Sequence, residues 1–171
     1  YVLNAGAAVA AAVLSGASAD EAVRALETFP GTARRLQTLV NTARYTLIDD
    51  YAHHPTAITI TLEGVRALYS ERKIVCVFQP NMFSRTQALL NEFAHSFGPA
   101  DVVGIMEIFP SAREVAGPVK GSDLAQATSQ VHKEVTYLPT KESGREFVKK
   151  YARDKNVIVL MGAGDVYEIA E

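Results

Sequence analysis

The sequence has no tryptophan and a single cysteine, Cys76, so no internal disulfide can staple it and a reducing compartment is expected. Neither sign of charge dominates. Seventeen Lys and Arg face nineteen Asp and Glu, a formal net charge of −2. Without a basic excess there is no electrostatic footprint for nucleic acid. No run makes a convincing membrane span. The longest nearly uncharged stretch, residues 1–19, is too rich in alanine and glycine and lacks the basic flank of a secretion leader. The motif G-x-x-x-x-G-K-[ST] does not occur, so nothing in these 171 residues can serve as a Walker phosphate loop. Internal repeats and low-complexity linkers are missing too. What is present is 48% hydrophobic and 21% charged. A chain of this size buries roughly two-thirds of its unfolded surface and needs no staple. A cytoplasmic globular domain is expected.

The first 32 residues read as two helices. Residues 2–14 are rich in alanine, with Gly16 as the stop signal, and a second helix runs from a cap at Ser18 or Asp20 to Phe29 before Pro30-Gly31. Two small-residue helices cannot form a core alone. Residues 1–32 are therefore expected to be the end of a preceding domain, and residues 33–171 a second one.

From Arg34 the pattern alternates. Leu36–Thr42 and Tyr45–Asp50 read as a β-hairpin, and Pro55 opens a helix to about Tyr69. Lys73–Gln79 contains IVCVF, the unbroken apolar run of a strand buried on both faces. A helix from Ser84 to Phe97, a strand at 101–107, a helix from about Ser122, and a strand at 134–138 follow. A helix at 141–151, a strand at 156–161 and a last helix from Gly164 complete the chain. This order predicts an α/β fold: a doubly wound, mostly parallel sheet with an antiparallel entrance hairpin.

Ligands of such sheets bind beyond the carboxyl ends of the strands. Four loops there carry unusual residues: DDYAHHPT (49–56), FQPNMFSRT (78–86), IFPSARE (108–114) and MGAGD (161–165). A carboxylate in the first can accept bonds from ribose hydroxyls, or simply cap the next helix. His53 and His54 are neighbours that point apart, and His95 and His132 are distant in sequence, so no metal site is expected. Arg85 beside Ser84 at a helix start suits a carboxylate or phosphate, against the plainer reading of an exposed arginine and a serine cap. Gly162-Ala163-Gly164 is half a dinucleotide fingerprint, and tight packing explains it equally. Cys76, inside an apolar strand, reads as inert core.

Taken together and in order, DDYAHHPTAI, FQPNMFSRT, IFPSARE and LMGAGDV resemble the C-terminal third of the Mur ligases. Upstream, LNAGAAVAAA and FPGTARRL resemble the end of that family's central ATP-binding domain. The resemblance is strongest to members that join L-alanine to UDP-N-acetylmuramate. Murein tripeptide ligases of cell-wall recycling share the first motif but are not expected to carry the second. A non-catalytic nucleotide- or amino-acid-binding module is the alternative of a different class.

The resemblance implies a three-domain ligase that uses ATP and Mg²⁺ to make an acyl phosphate, which the incoming amine then attacks. The metal ligands and the other domains would lie upstream, so this chain alone is expected to be inactive. It implies that Asn4 contacts adenine, that Arg35 or its neighbour Arg34 reaches the nucleotide phosphates, and that Asp50 holds the ribose hydroxyls. His53 and His54, the candidate catalytic residues, would line the closed site. Arg85 would bind the carboxylate of the amino acid, with Ser84, Asn81 and Phe83 shaping the pocket. Two departures stand out. Asn81 occupies a position where many relatives have histidine, and cannot titrate near neutrality. Tyr1 stands where an asparagine is common, so the resemblance does not carry a second adenine contact over to this chain.

Overall fold

The structure, a computed structural model, describes residues 2–112 and 114–170. Tyr1, read above as standing at an asparagine position, and Arg113 of IFPSARE lie outside the described residues. The chain divides into two units, Tyr1–Ala33 and Arg34–Glu171.

The first unit is a pair of helices, α1 (Val2–Leu14) and α2 (Ala19–Glu27). Gly16, at φ 101°, ends α1, and the Ala17 N–H reaches back to the Ala12 carbonyl at 3.0 Å. Ser18 caps α2 in a reciprocal box with Glu21, its hydroxyl accepting the Glu21 N–H at 3.3 Å. Neither helix has a buried residue, and Asn4 is exposed on α1.

The second unit is one six-stranded sheet. Its strands are β1 (Gln37–Asn41), β2 (Tyr45–Asp50), β3 (Ile74–Phe78), β4 (Val102–Met106), β5 (Val135–Leu138) and β6 (Asn156–Met161). They lie in the order β1-β2-β6-β3-β4-β5, with β1 antiparallel to β2 and all other pairs parallel. The helices between strands supply the crossovers that parallel neighbours need. The helices are α3 (Pro55–Leu68), α4 (Phe83–Ala88), α5 (Leu90–His95), α6 (Gly121–Ser129) and α7 (Lys141–Tyr151), with a 3₁₀ turn at Val166–Ala170.

The period-2 rule sorts the central strands onto two cores. Ile74, Cys76 and Phe78 meet Ile58, Leu62, Phe93, Phe97 and Leu124 from α3, α5, α6 and the residues after α5. Val75 and Val77 meet Phe147, Val148, Tyr151 and Ile169 on the opposite face. Both faces are covered, so β3, β4 and β6 are buried at every position.

Two elements differ from the sequence expectation. The single helix expected over 84–97 is broken at Leu89 (φ −116°, ψ 26°) into α4 and α5. Adjacent residues of one continuous helix diverge by about 100°, whereas the break lets Leu89 and Leu90 both pack on the core. The helix expected from Gly164 is a 3₁₀ turn, opened by the Glu168 N–H on the Asp165 carbonyl at 3.0 Å.

Candidate functional site at the carboxyl ends of the strands

Asp50 on β2 and Phe78 on β3 both pair with Met161 on β6, so the loops after these strands leave the sheet side by side. The sheet's bonding continues into the loops. The Gly162 N–H reaches the Asp50 carbonyl at 3.1 Å, and the Gln79 N–H the Met161 carbonyl at 2.9 Å.

Arg34 is the fastening of the first loop. Its Nε donates to Asp49 Oδ2 at 3.1 Å and its Nη2 to the Gly162 carbonyl at 2.6 Å. The guanidinium lies between the rings of Tyr51 and Tyr167, with centroids at 5.0 and 4.7 Å. Asp49 is 2% exposed, and burial pushes its carboxyl up despite the opposing pull of Arg34. Its second oxygen, Oδ1, is buried without a partner among the described residues.

Asp50, 1% exposed, clamps backbone. Its Oδ2 accepts the Leu36 N–H at 2.8 Å, and its Oδ1 the Ala52 N–H at 2.9 Å and the Thr61 hydroxyl at 3.4 Å. The clamp holds a turn in which Arg34 (φ 58°) and Leu36 (φ 48°) are both left-handed. Arg35 stands between them, exposed, its Cζ 5.3 Å from the Tyr51 centroid and its guanidinium in no hydrogen bond among the described residues. His53 turns Nδ1 to the Tyr51 carbonyl at 2.9 Å, so this nitrogen donates to it, while Nε2 makes no hydrogen bond among the described residues. His54 is exposed at the start of α3.

In the loop after β3, Gln79 is 5% exposed and donates from Nε2 to Asp165 at 2.8 Å. Asn81 pairs with Phe109 in an isolated parallel bridge, its Nδ2 3.4 Å from the Phe109 carbonyl. Ser84 directs its hydroxyl to Glu114 at 2.5 Å. Phe83 is half-buried and sits against Gly117. Arg85 is half-buried, and its Nη1 is buried without a partner among the described residues. A guanidinium nitrogen in that state attracts an anion, because only an anion or another acceptor repays its lost hydration.

The glycine loop is packed tightly. A Cβ on Gly162 would lie 2.7 Å from the Gln79 carbonyl, and one on Gly164 2.4 Å from Gln79 Oε1 and 2.6 Å from Phe109 Cγ. Close approach accounts for both glycines without a phosphate. Asp165 is tied to Lys141 at 2.5 Å, and Lys141 also to Glu168 at 2.7 Å. Beside them a cleft of about 190 Å³ runs across the ends of β3, β4 and β5, lined among others by Gln79, Glu107, Phe109, Lys141 and Asp165. Among the described residues, no three His, Cys, Asp or Glu gather where they could hold a metal ion, and no helix is long and apolar enough to cross a membrane.

Arg34, Asp50, His53, Asn81, Phe83, Ser84 and Arg85 thus gather at one end of the sheet, in its loops, at the end of β2 and in the first turn of α4, while Asn4 belongs to the other unit. Sequence reasoning passed over Glu107, Glu114, Lys141 and Tyr167. Glu114 carried a signal, since it ends one of the four motifs. The others are ordinary charged or aromatic residues whose partners lie tens of residues away.

Residues 34–164 match the family described as Mur ligase, glutamate ligase domain. The chain is 39% identical to a UDP-N-acetylmuramate–L-alanine ligase of Desulfitobacterium hafniense over 171 residues, 99% of this chain and 38% of that protein. It is 39% identical over 148 residues to the protein of the same name from Desulfatibacillum aliphaticivorans, covering 86% of this chain and 32% of that one. Among solved structures, a UDP-N-acetylmuramate–alanine ligase from Thermotoga maritima superposes with a TM-score of 0.82 at 25% identity, over 99% of this chain and 35% of that one. A murein peptide ligase from Psychrobacter arcticus gives 0.68 at 26% identity, over 98% and 35%.

Proposed function

Since the chain belongs to the Mur ligase family by the match over residues 34–164, we propose that it is the C-terminal part of an ATP-dependent ligase joining L-alanine to UDP-N-acetylmuramate in peptidoglycan synthesis. The chain spans 38% of the length of the Desulfitobacterium relative, so this reading concerns a longer parent protein. The observation that carries it is the buried Nη1 of Arg85, which has no partner among the described residues. An amino acid's carboxylate supplies the missing acceptor, and a charge-assisted bond of this kind contributes about 1.5–3 kcal/mol.

ATP supplies the phosphoryl group that activates the substrate carboxylate as an acyl phosphate. Of the two arginines considered for the nucleotide phosphates, Arg35 fits. Arg34 is already engaged by Asp49 and Gly162, whereas Arg35 is exposed and makes no hydrogen bond among the described residues. Asp50 is read as the ribose residue by likeness. Its carboxylate already accepts the Leu36 and Ala52 amides and is 1% exposed, whereas Arg35 is open to solvent. Asn4 is read as the adenine contact on the same basis. Mg²⁺ is not assigned to residues of this chain; by likeness it belongs with the phosphate loop in the rest of the parent.

Asn81 and Phe83 border the amino-acid pocket. Ser84 contributes its hydroxyl to the bond with Glu114. His53 and His54 are read by likeness as lining the closed site, where holding a proton and excluding water would protect the activated carboxylate from hydrolysis. The 171 residues alone are expected to give no turnover.

ATP-dependent phosphate release by the parent tests the reading, with UDP-N-acetylmuramate and either L-alanine or the tripeptide L-alanyl-γ-D-glutamyl-diaminopimelate. Release with L-alanine is expected. Release with the tripeptide alone moves the protein to cell-wall recycling, and release with neither leaves a binding module.

A further inference from the structure

The motif IFPSARE touches no substrate in the function proposed above. IFPSARE lies between β4 and α6, and its last residue, Glu114, reaches across to the start of α4. Glu114 Oε2 accepts the Phe83 N–H at 2.9 Å. Its Oε1 accepts the Ser84 N–H at 2.9 Å and the Ser84 hydroxyl at 2.5 Å. The Ser84 hydroxyl and then the Ser84 and Phe83 amides hold this carboxyl below the usual range, so it is charged at neutral pH.

The same segment is held a second time, one residue earlier. The Phe109 N–H bonds the Pro80 carbonyl at 2.8 Å, and the Met82 N–H bonds the Phe109 carbonyl at 3.1 Å. Between the two ties stands Met82 at φ 72° and ψ 126°, a backbone state that a residue with a Cβ adopts only when its surroundings impose it. Without the ties, Met82 would relax and rotate everything that follows. The residue directly after the tied pair Phe83-Ser84 is Arg85.

We infer that Glu114 is a positioning residue for the amino-acid site, acting through the Phe83 and Ser84 backbone to aim the Arg85 guanidinium. By occupying those two amides it also denies them to the substrate's carboxylate, which leaves Arg85 as the group that fixes it. This inference rests on the role proposed for Arg85. A carboxylate that only fastened a loop would affect stability and both substrates alike; a positioning residue affects the amino acid alone.

The test uses the full-length parent and the variant Glu114→Gln, which keeps the length and one acceptor oxygen but loses the charge. The expected result is an amino-acid KM raised about tenfold, the loss of one charge-assisted bond, with the ATP KM unchanged. Amide hydrogen exchange across Phe83–Arg85 should quicken by a similar factor. Glu114→Asp, which keeps the charge, should recover part of both losses, and it carries the test if the glutamine variant does not fold. An amino-acid KM equal to wild type, a parallel rise in both KM values, or unchanged exchange overturns the inference. If wild type ligates nothing, the proposed function fails, and exchange across Phe83–Arg85 still decides whether Glu114 holds this segment.

Discussion

Arg34 and Gly162 are 128 residues apart in the chain, and the guanidinium of one holds the carbonyl of the other at 2.6 Å. That bond joins the turn before the first strand to the loop after the last. Because the same guanidinium neutralises the buried Asp49 carboxylate, Arg34→Ala removes one partner of a buried pair and strands the other. A loss of about 3 kcal/mol is expected, measured by urea unfolding of the 171-residue chain.

Arg85 and Arg35 should separate the two substrates. Arg85→Ala in the parent is expected to raise the amino-acid KM about ten- to a hundredfold while leaving the ATP KM in place. Since the buried Nη1 has no partner among the described residues, its removal should leave stability unchanged or higher. Arg35→Ala should do the reverse, raising the ATP KM with stability within about 0.5 kcal/mol of wild type. Steady-state kinetics with each substrate varied in turn decides both.

Glu107 sets part of the response to acid. Burial would raise its carboxyl, but the Tyr137 hydroxyl and the Gly121 and Ile108 amides together hold it below the usual value of 4.5. A carboxyl depressed in the folded state adds stability above the unfolded value, and that stability is lost as pH falls through the folded one. Glu114 and Asp165 are depressed as well, whereas Asp49 is raised and acts in the opposite sense. The part of the stability that Glu107 supplies should therefore fall as pH drops below 4.5. Glu107→Gln should flatten that decline in unfolding curves taken across the range.

Two glycines should answer alanine with opposite signs. Gly164→Ala drives a methyl to 2.4 Å from Gln79 Oε1 and 2.6 Å from the Phe109 ring, and overpacking of this kind costs about 1–3 kcal/mol. Gly64, inside α3, has nothing within 4 Å of a new Cβ. Gly64→Ala should raise stability by about 0.5–1 kcal/mol through helix propensity. Thermal midpoints of the two variants against wild type measure both.

How much could be read beforehand follows from the range of each signal. IVCVF announced a strand buried on both faces because an unbroken apolar run has no other economical home. Pro55 marked the first turn of α3. The break at Leu89 was invisible, because 84–97 has unbroken helical periodicity and only the core shows that both leucines are wanted inside. The four loops could be placed at one end of the sheet from the alternation alone. Which arginine was engaged could not: Arg34 and Arg35 are identical side chains in adjacent positions, separated only by partners more than a dozen residues away. Glu114 could be quoted from its motif but not given a task, since its acceptors meet amides 30 and 31 residues distant.

The strand made last, β6, lies between β2 and β3, which meet only through it. Until residues 156–161 have left the ribosome, β2 and β3 face each other across a gap one strand wide, each with an unpaired edge. Vectorial synthesis therefore cannot finish this domain piece by piece. Its core closes in one late step that depends on contacts distant in sequence, the kind that folds slowly and leaves open edges vulnerable to association. A chain stopped at Lys155 would lack the middle of its sheet rather than its margin.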